Sequence, residues 1–251
     1  VSDFVWAAGR IAEHLCDQAL WHDGRCNWLA RRLRPLNDGR TGVVVTPLDS
    51  SLYDGTAGIG LFLAEFAAAT ADAGALSASV GAIRHALQAA DSAGPGLYRG
   101  RVGVAVASIR IATVAGLPEI GERGVRLAAG AGRVRDDLDI LEGMAGEVLG
   151  LLALAPALGR EGVASSVAQM AAHIVARGER AGEGLSWPTG RREERLANLA
   201  GYARGVAGIA VALAEAGAST GATEFLDAAR AACAYERSIF DLDAGNWPDL
   251  R

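Results

Sequence analysis

Leu52-Tyr53-Asp54-Gly55-Thr56-Ala57-Gly58-Ile59 opens a long apolar run, and three later segments repeat its pattern. They are Leu97-Tyr98-Arg99-Gly100-Arg101-Val102-Gly103-Val104, Ile140-Leu141-Glu142-Gly143-Met144-Ala145-Gly146-Glu147 and Tyr202-Ala203-Arg204-Gly205-Val206-Ala207-Gly208-Ile209. Each places Gly-x-x-Gly at the head of an apolar segment. From Gly55 to Gly100 is 45 residues, from Gly100 to Gly143 is 43, and from Gly143 to Gly205 is 62. The longer third interval is read as a loop inserted over Gly182–Glu194, carrying Ser186-Trp187-Pro188-Thr189-Gly190. Self-similarity at such a period marks a repeat architecture.

Each period holds a second, mixed segment: Gly81–Asp91, Glu119–Ala129, Gly162–Arg177 and Thr223–Phe240. Charged and apolar positions alternate there at helical spacing, which predicts amphipathic helices with one wet face. The Gly-x-x-Gly helices are apolar nearly all round and are expected to be buried, starting near Gly58, Gly103, Gly146 and Gly208. One buried and one amphipathic helix per period gives two helix layers. The fold class is therefore all-α, with a single weak strand candidate at Gly42–Thr46. Aligned buried helices would bring their N-termini together, and free N–H groups there suit anionic ligands. The alternative use of the glycines is close helix packing.

Composition limits the rest. The 251 residues are 51% hydrophobic with a formal net charge of −5. That balance gives no bulk electrostatic case for nucleic acid or an anionic membrane. Cys16, Cys26 and Cys233 form no disulfide framework and fit a reducing compartment. Neither a signal peptide nor a membrane span is read, so the expected location is cytoplasmic.

The repeat segments resemble the motifs of lanthionine synthetase C-like proteins. So do Trp21-His22-Asp23-Gly24-Arg25-Cys26-Asn27-Trp28 and the terminal Asn246-Trp247-Pro248-Asp249-Leu250-Arg251. The resemblance implies a double-layered α/α toroid, here one cyclase domain over residues 1–251 with an incomplete ring lacking its C-terminal zinc-binding repeats. It implies addition of peptide cysteine thiols to dehydroalanine or dehydrobutyrine, giving thioether rings. The implied partners are a precursor peptide and a dehydratase or kinase/lyase domain. In the family, zinc held by two Cys and one His activates the thiol.

The catalytic candidates that the resemblance singles out are Asp139 and Arg204. Asp139 matches an aspartate placed near the family's active site; its other reading is a capping box with Glu142. Arg204 falls where the family motif has an acid–base histidine. Arginine cannot act as a general base, but it can stabilise an enolate. Tyr53, Asp54, Tyr98, Arg99, Glu142 and Tyr202 occupy equivalent motif positions and are expected to bind substrate. None of Cys16, Cys26, Cys233, His14, His22, His85 and His173 stands in the family's ligand context, so no zinc is expected on this chain alone. Cyclase activity of this chain is accordingly expected to be very low. The competing functions are a non-catalytic peptide-binding module and, from Asp54, Asp139 and Glu142, a toroid glycoside hydrolase. Asp136 and Asp137 beside Asp139, and Arg191, Arg192 and Arg195 with Glu193 and Glu194, read as solvated charge.

Overall fold

The computed structural model describes residues 2–35, 40–188 and 198–249. The charged run at 191–195 lies outside these, as does the C-terminal part of the inserted loop. The described residues are mainly helical and divide into two compact units.

The first unit covers residues 1–93 and 103–127. It begins with α1 (Ser2–Asp17), followed by the hairpins β1 (Leu20–His22)/β2 (Arg25–Asn27) and β3 (Leu29–Pro35)/β4 (Thr41–Pro47). Then come α2 (Thr56–Thr70), α3 (Ala73–Ala89), most of α4 (Arg101–Ala115) and of α5 (Pro118–Ala128). Buried Ala57 and Ala64 of α2, Ile83 and Leu87 of α3, and Val104 and Ile111 of α4 share one core. The apolar α2 packs along the mixed α3, as the alternation of buried and amphipathic segments requires. Asp72 caps α3 by accepting from the Ala75 N–H at 2.8 Å, so this helix begins eight residues before the expected Gly81. Small residues over Ala73–Val80 hid that start, because they carry little amphipathic pattern.

The second unit covers residues 94–102 and 128–251. It holds α6 (Met144–Leu158), α7 (Arg160–Ala176), the hairpin β5 (Glu179–Ala181)/β6 (Gly184–Ser186), α8 (Val206–Thr220) and α9 (Thr223–Ser238). Met144, Val148 and Leu151 of α6 meet Val167, Met170 and Ile174 of α7 in one core, with Ile209 and Leu213 of α8 and Phe225 of α9. Fully buried Trp187 closes this core and donates from its indole Nε1 to the Ile174 carbonyl at 2.6 Å.

Among the described residues, three antiparallel strand pairs stand where one strand candidate was expected. The expected strand is β4. The β1/β2 turn is made by Asp23 and Gly24, both left-handed with φ of 48° and 69°. That pairing of conformations matches the twist of a two-residue hairpin. In β3, Leu-Ala-Arg-Arg-Leu-Arg consists of good helix formers, so tertiary pairing with the β-branched β4 overrides local propensity.

The apolar helices begin at Thr56, Arg101, Met144 and Val206, two residues before the expected positions. The first donor at each of these N-termini is already taken. The Thr56, Arg101, Met144 and Val206 N–H groups each donate to a carbonyl seven residues earlier, those of Asp49, Gly94, Asp137 and Leu199. After Met144, Ala145 and Gly146 donate to Leu138 and Asp139 in the same register. The preceding loop thus curls back over the helix end and satisfies it with its own backbone. That curl explains the glycines. A Cβ on Gly143 would collide with the Asp139 backbone, and one on Gly146 with the Ile140 carbonyl.

Candidate functional site

In the second unit three of these curled turns meet. The Tyr98 and Arg99 N–H groups both donate to the Leu141 carbonyl, at 3.1 and 3.0 Å. Gly96 lies so close to Glu142 that a Cβ would stand 2.7 Å from its Cα. The first turn is thereby fastened to the second by backbone contact, which fixes Tyr98 and Arg99 relative to Asp139 and Glu142.

The third turn is joined through side chains. Arg204 donates to Asp139 Oδ2 at 3.0 Å and reaches Glu142 Oε1 at 3.4 Å. Asp139 Oδ1 accepts from the Glu142 and Gly143 N–H groups at 2.9 and 3.1 Å. Asp139 therefore uses both oxygens, one to shape its own turn and one to hold Arg204. Its side chain is only 9% exposed, against 44% for Arg204 and 50% for Glu142. The capping-box alternative is not what forms. The Glu142 carboxylate goes to Arg204, and the helix end is already satisfied by loop carbonyls.

Tyr202 hydrogen-bonds Tyr98, and burial together with that bond pushes its phenol above the ordinary value. Tyr98, Asp139, Glu142, Tyr202 and Arg204 thus form one cluster on three turns, with exposed Arg99 on the first turn. Tyr53 and Asp54 belong to the first unit. There Asp54 accepts from Arg32 at 2.9 Å and from the Ser51 hydroxyl at 3.1 Å, while Tyr53 is exposed.

One residue pair beneath the cluster escaped the sequence reading. Glu147 is fully buried in apolar α6, where Arg135 pairs with it and the Gly132 N–H donates to it at 2.5 Å. Arg135 also donates to the Glu142 carbonyl at 3.3 Å, tying the second turn down. A lone carboxylate in an apolar helix needs a buried cation, and that was the available signal.

Among the described residues, no three His, Cys, Asp or Glu side chains come together as a metal would require. The Cys26 thiol is buried, donates to the Ala78 carbonyl, and is pushed up to about 12 by desolvation. Cys233 is exposed on α9.

Paired apolar and mixed helices headed by curled Gly-x-x-Gly turns, with charged and phenolic side chains gathered on those turns, define an all-α helical-repeat protein with a turn-borne site. The chain belongs to the family described as lanthionine synthetase C-like protein, which it matches over residues 46–251. No curated protein matches it. Among the described residues, no helix is long and apolar enough to cross a membrane.

Proposed function

We propose that the chain works on a peptide in thioether formation of the lanthionine synthetase type, with the Arg204 cluster serving the anion formed after sulfur attack. The reaction adds a cysteine sulfur, whose S–H proton is first given up to solvent as the thiolate forms, to the β-carbon of a dehydroalanine or dehydrobutyrine. The new C–S bond takes the sulfur electron pair, and the alkene pair moves toward the carbonyl as an enolate. That enolate then takes a proton at the α-carbon. Arg204, held by Asp139 and Glu142 yet 44% exposed, offers guanidinium N–H groups to the enolate oxygen. The Tyr202 phenol is protonated at neutral pH, as an ordinary phenol is, and an enolate is basic enough to take a proton from it. No step is assigned to zinc.

The observation that carries this reading is the clamp on Arg204, because a guanidinium fixed by two carboxylates is pre-positioned rather than mobile. The same clamp argues against the glycosidase reading. Asp139 and Glu142 converge on one cation instead of flanking a bond to be cut. The clamp also supports a second reading, a peptide-binding module in which Arg204 receives a carboxylate or carbonyl without chemistry.

Binding of a dehydrated, cysteine-containing peptide and its ring closure should be measured together, the latter by thiol trapping and mass spectrometry. Arg204→Ala is expected to slow closure about 100-fold, the effect of losing one oxyanion donor, with a smaller change in binding. Equal closure rates in both proteins would overturn the role given to Arg204. Binding with no closure by the unmodified chain would establish the peptide-binding module.

A further inference from the structure

The β3/β4 hairpin stands out in an acidic chain. Its register pairs Leu29 with Pro47, Arg31 with Val45, and Leu33 with Val43, so these residues share one face. On that face Leu29, Leu33, Val43 and Val45 are 56%, 72%, 55% and 61% exposed. Three arginines, Arg31, Arg32 and Arg34, lie on β3. Arg32 is spoken for by Asp54. Arg31 and Arg34 are exposed, and neither makes an ion pair among the described residues.

Among the described residues the backbone edge is equally open. The Leu48 N–H donates to the Trp28 carbonyl at 3.0 Å, which sets the phase of the ladder. Trp28, Ala30, Arg32 and Arg34 then exchange hydrogen bonds with the partner strand. Leu29, Arg31 and Leu33 turn their N–H and C=O groups outward. Among the described residues β3 pairs with β4 alone. An open edge with alternating exposed side chains accepts an extended chain as a further strand. Pro35 and Pro47 each remove one donor from the outer edge of their strand, so the arginines, which lie on β3, are what favour that edge for an acidic segment.

We propose that the outer edge of β3 binds an acidic, extended peptide segment by strand addition. The added strand would place an acidic side chain beside Arg31, between apolar ones beside Leu29 and Leu33 on the same face, and a second acidic one beside Arg34 on the opposite face. Opposite-charge and apolar cross-strand neighbours then supply the specificity that backbone pairing lacks. Arg32 ties the same strand to Asp54, on the turn that heads α2, so the docked segment lies on a strand anchored to a motif turn. This inference rests on the peptide reading above and names the part of the peptide that is recognised.

The test uses a fluorescent eight-residue probe, Ser-Val-Thr-Glu-Thr-Val-Glu-Ser, and its reversed sequence, both without cysteine or dehydrated residues, followed by anisotropy. Binding should weaken about tenfold in the Arg31→Gln/Arg34→Gln double variant, as expected for interfacial charge loss. N-methylation of alternate probe amides should abolish binding, because it removes the strand-pairing donors. An unchanged circular dichroism spectrum and melting temperature show that the variant still folds. Probe binding that ignores both changes would overturn the proposal. So would tighter binding to anionic phospholipid vesicles than to the probe, lost with the same arginines, which would make the hairpin a membrane contact. Probe binding without ring closure would refute the catalytic reading alone. Ring closure without probe binding would refute this inference alone.

Discussion

Glu147 and Arg204 each belong to an ion pair, and burial decides what each pair is worth. Glu147 is 0% exposed and its partner Arg135 is 22% exposed. Removing one member leaves a charge in an apolar core, so Arg135→Ala should destabilise the protein by about 3 kcal/mol in urea unfolding. Arg204 is 44% exposed, so water screens its bonds to Asp139 and Glu142. Arg204→Ala should cost at most about 1 kcal/mol in the same assay. A larger loss at Arg204 than at Arg135 would reverse this ranking. The two arginines also mark what was legible. Arg204 lies inside a repeat motif, so alignment of the four segments was enough to place it beside Asp139. Arg135 lies in an irregular stretch before the motif, where no periodicity says which way a side chain points.

The curled turns heading the helices are the part of the fold that the repeat carried most directly, and close backbone approach is the use their glycines are put to. Gly-x-x-Gly fits two uses, close helix packing and helix donors left open to an anion. In the structure the loop carbonyls seven residues back take those donors, and the glycines make room for that curl. Spacing reveals that two residues must be small, but it does not reveal which backbone approaches them. The hairpins were less legible for a similar reason, since β3 is built from helix formers and needs β4 to become a strand. A direct check compares two glycines. Gly146→Ala drives a methyl into the Ile140 carbonyl and should lower stability by about 2 kcal/mol, as overpacking does. Gly162→Ala, inside α7 with nothing near its Cβ, should raise stability by about 0.5–1 kcal/mol through helix propensity. Thermal unfolding of the two variants reads both signs.

Acid should weaken the first unit before the second, and the reason is His85. Asn27 Nδ2 can only donate, so the 3.1 Å contact makes His85 Nε2 an acceptor. The ring proton then sits on Nδ1 and points to Thr56 Oγ1 at 3.3 Å, while the Thr56 hydroxyl donates to the Asp49 carbonyl. The chain of bonds runs from the β2 hairpin to the head of α2 and requires a neutral imidazole. Burial, helped by the nearby positive charge of Arg25, lowers the His85 pKa below its ordinary 6.5. The unfolded chain therefore binds a proton more readily than the folded one. The resulting stability is present above pH 6.5 and is lost as pH falls through 6.5 toward the lower folded value. Protonation also places an N–H against the Asn27 amide, breaking the bond that holds the hairpin to α3. Urea unfolding at pH 7.5 and pH 5.5 should show this loss, and His85→Gln should remove most of the difference. Amide protection, corrected for the intrinsic pH dependence of exchange, should fall at pH 5.5 more in α2 and α3 than in α6 and α8, which carry no histidine of their own. Equal loss of protection in both sets of helices would assign the acid sensitivity to groups other than His85.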